Sequence, residues 1–175
     1  MAKTRQLLLL RHAKSSWDDP TLADFDRPLA PRGHRAAPRM GTEIAKRAWL
    51  PDLALVSPAA RTRETWKLAS TNWPRPLPEA VFPESLYGAS ANDVFNAAKT
   101  TPKDVGTLLI IGHNPGLETF AAQLSGPGSN GNAVQSLQEK FPSGALARFE
   151  FEGGWDELRP GFARLTHCLR PRDLG

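Results

Sequence analysis

The sequence predicts an α/β protein: a mostly parallel central sheet flanked by helices, with an antiparallel hairpin at its C-terminal end. Three observations carry this. Short apolar runs within QLLLLRHAKS (Gln6 to Ser15), DLALVSP (Asp52 to Pro58) and GTLLIIGHNPG (Gly106 to Gly116) are bounded by turn or charged residues. Continuous apolarity over so few residues marks strands buried on both faces, as parallel sheets require. The second and third runs lead into helical sequence, making strand-turn-helix units. Finally, GALARFEFEG and GFARLTHCLRP alternate apolar with polar residues and predict two closing strands joined at the Gly-Gly-Trp turn, Gly153 to Trp155.

A chain of 175 residues is long enough for one sizeable core and short for two, so a single domain spanning 1–175 is expected. Hydrophobic residues at 40% and charged residues at 23% are globular values, which excludes a disordered class. Lys and Arg number 22 against 18 Asp and Glu, a formal charge of +4, which favours anionic partners. The basic residues are dispersed and not interleaved with aromatics, so nucleic acid is not expected as a partner. Cys168, the single cysteine, excludes an internal disulfide and a Cys-rich zinc site and reads as a small buried hydrophobe. With no signal-length apolar segment, spanning stretch or lipidation motif in view, no membrane partner is expected and a cytoplasmic location is.

In chain order, the first strand delivers Arg11 and His12 to its carboxyl end, where open α/β sheets collect ligands. Taken alone, the pair fits a functional site and the plainer reading, Arg11 as a solvated strand end and His12 as a satisfied core histidine, equally well. Ala13 to Pro31 follows as a long irregular rim or lid. Its Asp18, Asp19, Asp24 and Asp26 match no familiar metal loop and read as solvated carboxylates. From Pro31 to Leu50, Ala37, Met40, Ile44, Ala45 and Ala48 recur at helical spacing. Pro38 predicts a kink, or a start delayed to Gly33 to Ala36. His34 reads as exposed.

After the second strand, AARTRETWKLAS is a good helical sequence whose first turn holds Arg61, able to face the same rim as Arg11. Arg63 falls on another face and reads as solvated. Proline-rich NWPRPLPEAVF is a connection ending in a short strand near Ala80 to Phe82, and SANDVFNAAKT suits a helix to about Lys99. Between them Glu84 sits on a loop, where exposure is its ordinary state. The third apolar strand delivers Gly112 and His113, with a helix starting at Pro115; glycines around the turn let backbone N–H groups approach an anion. The Lys and Ser/Thr of a Walker loop are absent. SGPGSNGN, Ser125 to Asn132, is a loop before a short helix, and His167 in the last strand reads as structural.

In this order, LLLLRHAKS, DFDRPLAPRG, SPAARTRET and GHNPGLE resemble the histidine phosphatase superfamily, with its phosphoglycerate mutase-like three-layer sandwich. The match is best to the small SixA-type phosphohistidine phosphatases and runs from about Leu7 to the last strand. The resemblance implies a phosphatase in which His12 is the nucleophile and Arg11, Arg61 and His113 form the phosphate pocket, with Lys14, Ser15 and Asn114 as further substrate-binding positions. Such chemistry suits these residue types. A neutral imidazole can attack phosphorus if its other nitrogen is held protonated, and a phosphoryl group in transfer needs donors placed around its three equatorial oxygens. Arginine's planar fork holds two of those oxygens at once. No metal or other cofactor is required by this scheme.

ESLYG, Glu84 to Gly88, resembles the acid-bearing segment of phosphoglycerate mutases, which makes Glu84 the candidate general acid; SixA-type members lack a clear acid there. Ala13 and Lys14 depart from the Gly and acidic residue that mutases carry after the histidine. The short chain leaves little room for inserted lids, so an open cleft is expected. The implied partner is a phosphohistidine-bearing protein or a small phosphorylated molecule, acted on by a monomer. A phosphate-binding module without catalysis is the rival of another class, and a basic nucleic-acid-binding domain would leave the ordered motifs unexplained.

Overall fold

The computed structural model describes residues 3–174. Six strands form one mixed sheet in the order β3-β2-β4-β1-β5-β6: β1 Thr4–Arg11, β2 Leu53–Val56, β3 Glu79–Val81, β4 Thr107–Gly112, β5 Leu146–Glu152 and β6 Arg164–Leu169. Strand β1 is central. It runs parallel to β4, Leu8 opposite Leu109, and antiparallel to β5, Leu8 opposite Arg148. The parallel set β3-β2-β4-β1 is thus continued by the antiparallel β5-β6 pair.

The side-chain period of two in β1 divides the core. Leu7 and Leu9 join a cluster built with Val94 and Phe95 of helix α3 (Ala91–Lys99), Leu117 and Phe120 of α4 (Gly116–Leu124) and Leu137 of α5 (Gly131–Glu139). Leu8 and Leu10 meet Met40 and Ile44 of α1 (Pro31–Lys46) and Trp66 of α2 (Ala60–Ala69) on the opposite face. That is the three-layer arrangement, and it explains why β1 reads as an unbroken leucine run. A local signal sets the start of α3. At α3, Ser90 Oγ accepts from the Asp93 N–H (3.2 Å) while the Asp93 carboxylate accepts from the Ser90 N–H (2.9 Å), a reciprocal cap.

Four expectations are corrected. Helix α1 is not delayed by Pro38: it starts at Pro31, a position suited to proline's fixed φ, and holds Pro38 in its interior. The missing N–H of Pro38 leaves the His34 carbonyl without its helical donor, a local cost outweighed by the buried Ala37, Met40 and Ile44 stripe. Helix α4 starts at Gly116, with Pro115 as the flanking cap. The closing strands are not joined by a tight turn at Gly153 to Trp155, because Trp155 is buried and donates from its indole to the Val105 carbonyl, and the connection runs on to β6 at Arg164. The expected loop from Ser125 to Asn132 ends at Asn130, since α5 starts at Gly131, and it is tied to β6 and the residue before it: the Gly126 N–H bonds the Ala163 carbonyl and the Asn130 N–H the Leu165 carbonyl.

Gly33 in α1 fixes the backbone just after the first motif. A Cβ there would stand 2.2 Å from the Lys14 carbonyl oxygen. Gly33→Ala is therefore expected to displace Lys14 or α1 and cost about 1–3 kcal/mol, measured as a lowered urea midpoint; unchanged stability would show that this approach is not tight.

Candidate active site

The parallel strands β1, β2 and β4 end side by side, and the residues just beyond their carboxyl ends converge. His12 follows β1, Ser57 follows β2, and His113 follows β4; the Ser57 N–H bonds the Ile111 carbonyl and the His12 N–H bonds the Gly112 carbonyl, which locks the three strand ends together. His12 is buried at 6% exposure, with its ring centroid 5.4 Å from that of His113. Its Nδ1 lies 2.7 Å from the Ala13 carbonyl oxygen. A carbonyl only accepts, so Nδ1 carries the proton and Nε2 keeps the lone pair. The Ala13 backbone is held in turn: its N–H donates to Thr65 Oγ (3.0 Å), and Thr65 donates to the Arg61 carbonyl (2.7 Å).

Burial pushes the His12 pKa down to about 3, with His113, Arg11 and Arg61 adding repulsion of its cationic form and the Ala13 carbonyl opposing it. Burial, followed by Arg61, lowers His113 to about 4. Both imidazoles are neutral at neutral pH without ligand. His113 Nε2 shares a hydrogen bond with Ser57 Oγ (2.7 Å), while its buried Nδ1 has no partner among the described residues.

Arg61 is buried at 7% exposure in the first turn of α2. Its guanidinium donates to the Asp24 backbone carbonyl (2.8 Å) and carboxylate (3.1 Å), and Tyr87 donates its hydroxyl to the same carboxylate (2.6 Å). Asp24, read from sequence as a solvated loop carboxylate, thus pins the long loop across the site; Arg27 also faces it at 3.3 Å. The Tyr87 hydrogen bond, then Arg61, hold the Asp24 carboxyl below its ordinary range, and the Tyr87 hydroxyl is raised by Asp24. The Tyr87 ring stands edge-on to His113 at 5.7 Å. Asp24, Tyr87 and Ser57 are site residues that the sequence reading missed.

The remaining candidates separate. Arg11 is partly buried; burial lowers its pKa, Glu118 opposes and Arg61 adds to the lowering, and one of its guanidinium N–H groups donates to the Phe141 carbonyl (3.2 Å). Asn114 is committed to structure: its amide donates to Phe141 and Glu118, and its carbonyl accepts from the Glu118 N–H. Buried Ser15 accepts from Arg27 (3.2 Å). Lys14 is exposed beside Arg11. Glu84 is exposed in a one-turn helix, Glu84–Leu86, and makes no side-chain hydrogen bond to the site among the described residues; Tyr87, three positions on, is the member of that segment that reaches His113. Among the described residues no three His, Cys, Asp or Glu side chains gather as metal ligands. His167 packs on Trp49 at 4.8 Å, away from this group. Burial raises the Cys168 thiol to about 11, consistent with an inert core cysteine.

These shifts set a pH dependence of stability. A histidine whose folded pKa lies below its unfolded value of about 6.5 lets the unfolded chain bind protons first, so stability falls as pH falls below that value. His167, lowered by burial, adds in the same direction. The urea midpoint is expected to drop between pH 6.5 and 5, above the main carboxylate range, with a shallower slope in His113→Gln. An unchanged slope would show that His113 is not held neutral.

Two imidazoles, with Arg11 and Arg61 acting on their charge, thus stand at the carboxyl edge of the parallel strands. Residues 7–124 match the family model of the histidine phosphatase superfamily, branch 1, and the chain belongs to this superfamily, as a SixA-type phosphatase and a hydrolase. An uncharacterized protein of Mycobacterium tuberculosis is 39% identical over 166 residues, covering 93% of this chain and all (100%) of its own length. A structure from Nakamurella multipartitia, provisionally assigned as the phosphohistidine phosphatase SixA, superposes with a TM-score of 0.84 at 28% identity, covering 97% of this chain and 98% of that one. The provisionally assigned SixA of Agrobacterium tumefaciens gives 0.76 at 29% identity, with 95% and 98% covered.

Proposed function

We propose that this phosphatase works through a phosphohistidine intermediate on His12 and that its substrate is phosphohistidine carried by a protein. The observation that carries the reading is the fixed tautomer of His12: the Ala13 carbonyl holds the Nδ1 proton at 2.7 Å, which leaves Nε2 unprotonated at the pH of the cell. In the first step Nε2 forms a bond to phosphorus as the bond to the leaving group breaks; in the second, water attacks phosphorus and the N–P bond breaks, releasing phosphate. Arg61 and Arg11 supply fixed positive charge to the equatorial oxygens. The buried Nε–H of Arg61 has no partner among the described residues. A bound phosphate dianion raises the His113 pKa by opposing the repulsion from Arg61, and the protonated ring donates to a nonbridging oxygen.

The leaving group distinguishes substrate classes. An imidazole leaving group takes its proton from solvent near neutral pH, whereas an alkoxide needs a positioned acid. Exposed Glu84, without a bond to the site, supports the former. The SixA assignments of the Nakamurella and Agrobacterium proteins point the same way. The test is turnover by chelator-treated enzyme of a phosphohistidine protein, a generic aryl phosphate and common sugar phosphates, with wild type and Glu84→Gln side by side. Preference for phosphohistidine, little changed by Glu84→Gln, is expected. Preference for an alkyl ester with a large loss in Glu84→Gln would replace this reading with a metabolite phosphatase.

A further inference from the structure

A cavity of about 530 Å³ opens beside Arg11, the residue before the nucleophile, between the end of β1, the start of α1, the loop before β5 and the C-terminal segment. Six of its lining residues are cationic: Arg11, Lys14, Arg32, Lys140, Arg170 and Arg172. Nothing in the proposed phosphohistidine chemistry uses five of them. Only Arg170 has carboxylate partners, Asp173 at 3.2 Å and Glu139 at 3.6 Å; the other five form no ion pair among the described residues. Arg32 lies in the first turn of α1 and Ala36 lines the same wall, so the positive end of that helix adds to the field. Arg11 belongs to both places, since it lines the cavity and acts on the charge of His12. Its buried Nε–H has no partner among the described residues.

We propose that this cavity is a second anion subsite that holds a phosphoryl group adjoining the one transferred, so that the enzyme also takes phosphoanhydrides, with the terminal phosphoryl group at His12 and the next ones among Lys14, Arg32, Lys140 and Arg172. The proposal rests on His12 as nucleophile but not on a protein substrate. Cations that line one concave wall and form no ion pair among the described residues match the high charge density of a phosphate chain, and arginine forks hold its oxygens two at a time. The chemistry agrees with a site in which exposed Glu84, the candidate general acid, makes no side-chain hydrogen bond to the site among the described residues. Nε2 bonds the terminal phosphorus, the bond from that phosphorus to the bridging oxygen breaks, and the shortened phosphate chain leaves with the electron pair on that oxygen. A phosphate leaving group, with its second pKa of about 6, departs without a proton from the enzyme. Water then attacks the phosphorus, the N–P bond breaks, Nε2 recovers its lone pair and inorganic phosphate is released.

The experiment uses tripolyphosphate as the probe, with chelator-treated full-length enzyme at fixed ionic strength, and follows phosphate release alongside turnover of p-nitrophenyl phosphate. Wild type is compared with a variant carrying Arg32→Gln, Lys140→Gln and Arg172→Gln, and with a charge-matched control carrying Lys67→Gln, Arg75→Gln and Lys99→Gln at exposed positions outside the cavity lining. Tripolyphosphate turnover by wild type is expected, with kcat/KM falling about tenfold or more in the cavity variant and less than about twofold in the control, while the aryl ester changes little in either. Aryl phosphate turnover without tripolyphosphate turnover, and with inhibition by tripolyphosphate no stronger than by orthophosphate, would overturn the subsite. Loss of both activities in wild type would instead remove the His12 reading on which it rests. Inhibition of wild type by hexa-aspartate as strong as that by tripolyphosphate would reassign the cavity to an acidic chain; this arm and the orthophosphate comparison need no variant.

Discussion

His12→Ala is expected to abolish turnover, with a loss of about 10⁵-fold or more, the scale seen when an enzymic nucleophile is removed, and to leave no acid-labile phosphate on the protein after quenching. The effect is large because no other group in the site can replace the lone pair. His113 shares Nε2 with Ser57 in the unliganded site and is protonated once it donates to bound phosphate, its Nδ1 is buried, and Arg11 and Arg61 are cations with nothing to donate to phosphorus. The phosphate-binding donors remain in place, so the variant should still bind orthophosphate and should melt cooperatively. Mass spectrometry of quenched wild-type and variant enzyme reads the intermediate directly. Wild-type turnover in His12→Ala would refute the mechanism.

Arg61→Ala is expected to lower kcat/KM by about 10²–10³-fold, the range for losing one preorganised donor to developing charge. Arg61→Lys should recover only part of the loss, because an ammonium restores the charge but not the planar fork. Arg61 has a second task, since its guanidinium anchors Asp24 at 2.8 and 3.1 Å and through it Tyr87. Asp24→Ala separates the two. It removes the carboxylate's bonds to Arg61 and Tyr87 while keeping the guanidinium and its bond to the Asp24 backbone carbonyl, and a loss as large as that of Arg61→Ala would place the effect in that carboxylate anchor instead of the phosphoryl pocket.

How much of this was legible in the sequence depends on how local each cause is. The central strands were readable because burial on both faces leaves an unbroken apolar run, as at Leu7 to Leu10 and Leu108 to Ile111. Arg61 and His113 were placed correctly at strand ends because the strand-turn-helix pattern fixes where the chain must turn. The start of α1 was misjudged because the cost of Pro38 was weighed without the packing that offsets it. Asp24 was missed because its partners lie 37 and 63 positions away, at Arg61 and Tyr87, beyond any periodicity. The basic cavity was invisible for the same reason: dispersed charges, none forming a run, are gathered only when the C-terminal segment docks beside α1.

The central place of β1 in the sheet has a consequence for synthesis. Its two neighbours in the sheet, β4 and β5, begin at Thr107 and Leu146, so neither edge of the strand can be satisfied until most of the chain has been made. At the roughly 5–20 residues per second of translation, the row Leu7 to Leu10 spends on the order of ten seconds outside the ribosome with its ladder groups unpaired. Such an edge templates pairing with other chains over that interval. A nascent chain arrested before Leu146 would hold the sequence of both motif histidines and still lack the strand that closes one side of β1, and it should aggregate where the full chain does not.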